Sequence, residues 1–287
     1  MMDWLHEVAS GKLLVSDGAM GTMLQSLGLG VGQCPELWNL THPERVQQVH
    51  RAYLQAGANL LTTNTFGGNR IRLAAHGLGN HLAEINRRAV DLAREVAEDT
   101  AAVMASVGPT GALLEPLGDL SEEQAFEVFS EQIDALREGG ADTVILETFM
   151  ALEEIVIALR AAKAQGMRVI ASMSFGTGER TMMGVTPEQA AATLVEEGAQ
   201  VVGANCSTGA QEMVPVIQRM RAAVSVPLIA QPNAGMPVLL EDKPVYTQKP
   251  AEMAAFVPHF VQAGAKIIGS CCGSTPEFTR AIASMLA

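Results

Sequence analysis

Four times along the chain, a Gly-Ala step that enters a short apolar run is followed by a polar or metal-capable side chain seven residues beyond the glycine. Gly57-Ala58 leads to Asn64, Gly140-Ala141 to Glu147, Gly198-Ala199 to Asn205 and Gly264-Ala265 to Cys271. Each interval is a short apolar run. A glycine suits the end of a helix that must turn back toward a sheet, and a continuous Val/Ile/Leu run suits a parallel strand covered on both faces. Each unit therefore reads as helix end, turn and buried strand, with one chemically capable residue delivered at the strand's C-terminal end. The runs between these units carry residues of the same kind at their ends: Asp17, Gly108-Pro109, Ser174 and Gln231-Pro232-Asn233.

The spacing predicts eight strands, over Lys12–Asp17, Asn59–Asn64, Ala102–Val107, Thr143–Glu147, Arg168–Ser174, Gln200–Asn205, Pro227–Gln231 and Lys266–Ser270. Amphipathic stretches lie between them: Pro43–Gln55, His81–Glu98, Ser121–Glu138, Leu152–Ala164, Pro187–Glu197 and Ala251–Gln262. Ser121 with Gln124, and Thr186 with Gln189, fit capping boxes. Thr275-Pro276 starts a last helix. Eight strand–helix units point to a single (β/α)8 TIM barrel spanning residues 1–287, with its site at the C-terminal ends of the strands. The length of 287 residues agrees, since such barrels use about 250 residues as one domain. A doubly wound open sheet is the alternative, because periodicity does not count closure.

Composition narrows the function. Lys+Arg 19 against Asp+Glu 31 gives a net charge of −12, a poor basis for gripping a nucleic-acid backbone. No apolar run approaches the roughly 20 residues of a membrane-spanning helix. The start, Met1-Met2-Asp3-Trp4-Leu5-His6-Glu7, lacks the basic-then-apolar order of a signal peptide. Four cysteines are too few for a disulfide scaffold. A reduced, cytoplasmic enzyme is expected.

Cys206 follows the sixth expected strand and Cys271-Cys272 the eighth, so three sulfurs can converge above one rim. Adjacent residues on a regular strand point to opposite faces; the pair can act together only where the strand breaks, and Gly273 supplies that freedom. Spacing alone leaves three readings open: buried apolar cysteines, a disulfide at Cys206, or a metal site. The polar rim favours metal. Three thiolates without a fourth ligand match a catalytic zinc site with one open position. A substrate thiol entering that position loses its proton and stays nucleophilic at neutral pH. Hydrolysis by zinc-bound water is the competing use, but it more often employs His and carboxylate ligands. The histidines end no expected strand, and those from His42 to His81 are expected at the surface. Cys34 is expected to be a bystander. The Gly28/Gly30/Gly32 run follows no strand and is no phosphate loop.

The segments Asp17-Gly18-Ala19-Met20-Gly21-Thr22, Thr63-Asn64-Thr65-Phe66, Glu147-Thr148, Asn205-Cys206, Gln231-Pro232-Asn233-Ala234-Gly235 and Gly269-Ser270-Cys271-Cys272-Gly273-Ser274-Thr275-Pro276 resemble the homocysteine S-methyltransferase family. Within it, they are most similar to the homocysteine-binding barrel of the cobalamin-dependent methionine synthases. The likeness covers nearly the whole chain, and its first and last motifs together are very specific. It implies a (β/α)8 barrel whose zinc is held by Cys206, Cys271 and Cys272, and homocysteine bound as a zinc thiolate that attacks an activated methyl group to give methionine. It implies that Glu147 holds the substrate ammonium. The Asp17-Gly18-Ala19 turn would receive the amino-acid end, with backbone N–H groups available to its carboxylate. Thr65 and Phe66 would form a pocket wall, Asn205 would stand among the substrate residues, and Asn233 would fill the open metal position before substrate arrives.

Taken without the likeness, Asp17 and Glu147 could equally cap helices or pair with arginine, and Phe66 could be plain core. Met182-Met183, flanked by glycines after the fifth strand, are expected to form a lid. Arg70, Arg72, Arg87 and Arg88 are expected on solvated helix faces.

Cobalamin-dependent relatives carry folate and cobalamin modules after this barrel, whereas the chain stops at Ala287. The expected methyl source is therefore external, a methyl-corrinoid (methylcobalamin) on a separate protein that docks on the rim. A small donor such as S-methylmethionine or betaine is the alternative, but a small cation favours an aromatic cage. Trp4, Trp38, Tyr53 and Tyr246 end no expected strand. A zinc-dependent hydrolase or lyase, and a non-catalytic zinc subunit, are readings from other classes. Joint retention of Cys206, Cys271, Cys272, Glu147 and Asp17 argues against the last.

Overall fold

The computed structural model describes residues 3–176, 178–240 and 243–286. Eight strands form the barrel: β1 Leu14–Val15, β2 Leu60–Thr62, β3 Ala102–Val107, β4 Thr143–Phe149, β5 Arg168–Met173, β6 Val201–Asn205, β7 Leu228–Gln231 and β8 Ala265–Ile268. All neighbours pair in parallel, in the order β1-β8-β7-β6-β5-β4-β3-β2. A parallel bridge between Ser16 and Leu60 closes the ring, reinforced by Asp17 N–H donating to the Leu60 carbonyl at 3.0 Å. The fold is a (β/α)8 barrel, not an open doubly wound sheet.

The glycines of the four Gly-Ala steps all take left-handed φ, from +91° at Gly140 to +102° at Gly57 and Gly198. Side chains at these positions would be strained, which explains the recurrence. Both capping boxes form, at Ser121 and Thr186. The helix expected over 251–262 is split into Pro250–Ala254 and Val257–Gln262. Pro258 lacks an N–H, and its ring would strike the carbonyl four residues back, so it is tolerated only in a helix's first turn.

Inside the ring, Leu14, Leu60, Met104, Ile145, Ile170, Val201, Ile229 and Ile267 pack with Trp4 and Val8 of the helix Trp4–Ala9. Trp4 is 1% exposed, and its Nε1 donates to Thr143 Oγ1 at 3.0 Å. That helix stoppers the N-terminal end of the barrel. Beyond β7, Val238–Leu240 and Lys243–Val245 pair as a short antiparallel ribbon at the other end. Among the described residues no helix is long and apolar enough to cross a membrane.

Candidate active site

Chain breaks at the ends of β6 and β8 bring the sulfurs together. Cys206, the first residue past β6, and Ser207 both have φ of +61°, so the backbone doubles back at once. β8 stops at Ile268, two residues earlier than expected, which leaves Cys271 and Cys272 off the strand. The segment after β7 laces the two ends: Cys206 N–H donates to Gln231 O at 3.1 Å, Cys271 N–H to Pro232 O at 2.8 Å, and Ala234 N–H to Cys272 O at 3.0 Å. The three Sγ atoms lie within 4.8 Å of one another; Cys206 and Cys272 are 3.6 Å apart and unbridged.

The cluster shares its protons unequally. Hydrogen bonds from Cys271 and Cys272 hold the Cys206 thiol far below its ordinary range, helped by Asn233. The other two are correspondingly held above theirs. Asn233 is 3% exposed and its Oδ1 has no partner. Three converging sulfurs beside an orphaned amide oxygen fit a soft or borderline metal such as zinc. Cys34 stands apart. It is buried against Glu36 Oε2 at 3.1 Å, and burial, reinforced by that carboxylate, pushes its thiol up to about 12.

A cavity of about 390 Å³ opens beside the sulfurs, lined among others by Asp17, Gly18, Ala19, Thr65, Phe66 and Glu147. Glu147 ends the unit that begins at Gly140, and its Oε1 accepts from Ser106 Oγ. Asp17 accepts from Thr62 N at 2.6 Å and Thr62 Oγ1 at 2.8 Å. Burial raises both carboxyls to about 7, despite these hydrogen bonds. Neither caps a helix or pairs with arginine, and among the described residues no Lys or Arg lines the cavity. Two acids without a cation beside them are a place for a cationic ligand.

Other expected site residues sit as follows. Phe66 is half-exposed on the cavity wall with the Arg72 guanidinium 5.3 Å from its ring, so it is not plain core. Thr65 is fully buried and donates to Ser106 O at 2.7 Å. The Ala19 N–H, expected to be available to a carboxylate, is taken by Ser274 Oγ at 3.1 Å. Asn205 is fully buried behind the wall and does not line the cavity; its partners are Thr148, Glu147 and Cys271.

Several contributors escaped the sequence reading. Tyr53 sends its hydroxyl from the helix Pro43–Gln55 to Ala19 O at 2.8 Å. Ser270 Oγ is buried on the cavity without a partner. With Tyr53 and Ser274, it crowds Gly18 so closely that a Cβ there would stand 2.6 to 2.9 Å from three hydroxyl oxygens. Tyr246 lies over Gly273, beside Cys272. Ser106 and Ser270 did carry a signal, the one as the only hydroxyl in an otherwise apolar strand, the other as the end of the eighth expected strand.

Two expectations fail, and a third gains no support. His50 is completely buried, and burial lowers it to about 4. Arg72 is half-buried and donates to Pro109 O at 2.9 Å. Met182 and Met183 are 80% and 45% exposed and do not line the cavity.

The family model for homocysteine S-methyltransferase matches residues 14–286. Methionine synthases of Mycobacterium leprae and Mycobacterium tuberculosis are each 32% identical over 302 aligned positions, covering 99% of this chain and 25% of theirs. The chain thus spans about a quarter of the length of these relatives. Among solved structures, the metallated form of the homocysteine methyltransferase MmuM from Escherichia coli aligns with a TM-score of 0.82 at 24% identity, covering 97% of this chain and 98% of that one. Its oxidized form gives 0.79 at 26%, over 99% of both. The match begins at the first barrel strand and runs into the last helix, and the chain belongs to the homocysteine S-methyltransferase family.

Proposed function

We propose that the chain methylates homocysteine to methionine, with zinc held by Cys206, Cys271 and Cys272. One observation carries the reading: a single cavity is lined by three clustered sulfurs and by two carboxyls that, among the described residues, have no cation beside them. Those two sets match the thiol and the ammonium of one small amino acid. Glu147 takes the ammonium, and the unpartnered Ser270 hydroxyl is placed to donate to the carboxylate. When bound, zinc supplies the charge that keeps an entering thiol deprotonated at neutral pH. Asn233, which bonds Cys206 and whose oxygen has no partner, stands next to the same sulfurs. In the transfer, the substrate sulfur forms the new S–CH3 bond, the donor–methyl bond breaks with its electron pair staying on the donor, and the thiol proton leaves to solvent.

The methyl donor we infer is a methyl-corrinoid brought to the rim by its own carrier. Among the described residues Phe66 is the only aromatic lining the cavity, whereas a small sulfonium or ammonium donor favours several aromatic faces. The test mixes zinc-loaded protein, homocysteine and methylcobalamin anaerobically and follows methionine by mass spectrometry. Zinc-dependent methionine supports both parts. Methionine from S-methylmethionine or betaine alone replaces the donor. Failure with all three overturns the reading.

A further inference from the structure

Thr148 adopts a φ of +64°, where a β-branched residue is a conformational outlier. It sits in a bulge of β4: Leu146 pairs with Ala171 and Phe149 with Met173, so three steps on β4 oppose two on β5. A bulge of this kind re-aims the side chains next to it, and the neighbour here is Glu147.

One side chain holds the strained residue from both directions. Asn205 Oδ1 accepts from Thr148 N at 2.8 Å, and Asn205 Nδ2 donates to Thr148 Oγ1 at 2.7 Å. The same Nδ2 lies 3.5 Å from Glu147 Oε2 and 3.9 Å from Cys271 Sγ. Asn205 is itself 0% exposed and outside the cavity lining. It therefore stands behind both ends of the site and touches neither the cavity nor its contents.

We propose that Asn205 is a positioning residue: by gripping Thr148 it keeps the β4 bulge in place and so presents Glu147 to the cavity at a fixed offset from the sulfurs. This rests on Glu147 as the ammonium's partner. It assigns Asn205 a role in acceptor affinity exerted through the backbone of a neighbouring strand. Glycine reaches positive φ without help, so the idea carries its own rescue: Thr148→Gly should make the clamp dispensable.

The experiment compares Asn205→Ala, Thr148→Gly, their double variant, Glu147→Gln, and Glu147→Gln with Asn205→Ala. It measures zinc content, homocysteine KM, kcat and the crystal structure of Asn205→Ala. Asn205→Ala should raise KM by about tenfold or more, with kcat within about threefold and zinc retained. The Asn205→Ala/Thr148→Gly double should return to within about threefold of Thr148→Gly alone. Adding Asn205→Ala to Glu147→Gln should change KM by less than about twofold, because the two act as a unit. The crystal structure should show Thr148 relaxed to negative φ. An unchanged KM in Asn205→Ala, absence of rescue by Thr148→Gly, or Thr148 still at positive φ would overturn the proposal. Loss of zinc with normal φ at 148 would also overturn it, by placing the role at Cys271. If Glu147→Gln leaves KM unchanged, the ammonium assignment fails instead, while φ at 148 still decides whether Asn205 holds the bulge. Should Asn205→Ala fold poorly, Asn205→Leu fills a similar volume and loses both hydrogen bonds to Thr148, and the same criteria apply.

Discussion

Replacing Glu147 by glutamine should make the ligand-free protein more stable at alkaline pH while spoiling its site. Burial lifts this carboxyl from 4.5 to about 7, outweighing the hydroxyl of Ser106. With the folded value above the unfolded one, its contribution to stability is fully present below about pH 4.5 and is lost as pH rises through 7. The difference corresponds to about 3 kcal/mol at 1.36 kcal/mol per unit, or about 2 kcal/mol once water in the open cavity is allowed for. Glutamine has no charge to bury and keeps an oxygen for Ser106. At pH 8 the variant should therefore gain about 2 kcal/mol, which for a barrel of this size is about 4–8 °C in Tm. The gain should shrink several-fold by pH 5. Homocysteine, whose ammonium loses its charged partner, should bind about 30- to 100-fold more weakly. Thermal unfolding from pH 5 to 8.5 at matched metal content, with calorimetric titration of homocysteine, measures both. A variant equally or less stable at pH 8, or one with unchanged affinity, would refute the assignment of a buried acid awaiting a cation.

The sulfur cluster gives two further expectations. Cys272→Ala should lose zinc and transfer together, by metal analysis and turnover, whereas Cys34→Ser should retain both. Because Cys206 already ionises readily while its two partners hold their protons, zinc loading at pH 7 should release about two protons, read by calorimetry in buffers of different ionisation enthalpy. Gly18→Ala, which drives a methyl group into three hydroxyl oxygens, should cost about 1–3 kcal/mol in denaturant unfolding and weaken homocysteine binding; unchanged stability would mean the crowding is relieved elsewhere.

The barrel was legible because its glycines and apolar runs are local signals that repeat. Ala102–Val107 was bounded correctly, and the seven-residue step located Asn205 at the end of β6, Glu147 two residues inside β4 and Cys271 three residues past β8. Register was harder. The bulge that lengthens β4 to Phe149 leaves no mark in composition, because it is set by an asparagine on β6. The hydroxyls of Tyr53 and Tyr246 reach the site from a helix and from a loop, and only closure of the ring brings them near Gly18 and Cys272. His50 looks like a surface histidine because its helix is amphipathic, yet it falls on the inward face with Val46, Val49 and Tyr53. Asn205 was recognised as a residue of the site, but its part in it depends on a contact with Thr148 that a linear sequence does not display.

The stoppered floor has a kinetic consequence. With Trp4 wedged among the inward-facing strand residues, the N-terminal end of the barrel is filled, so on the proposed reading acceptor, methyl source and product all reach the site from the C-terminal rim. An amino acid seated between Glu147 and the sulfurs lies deeper than anything that reaches over the rim. If the proposed transfer holds, traffic through that rim is last in, first out: the acceptor enters before the donor, the spent donor withdraws before methionine leaves, and excess donor arriving early blocks the way. Steady-state kinetics should therefore show compulsory order with donor inhibition, the behaviour of a cul-de-sac.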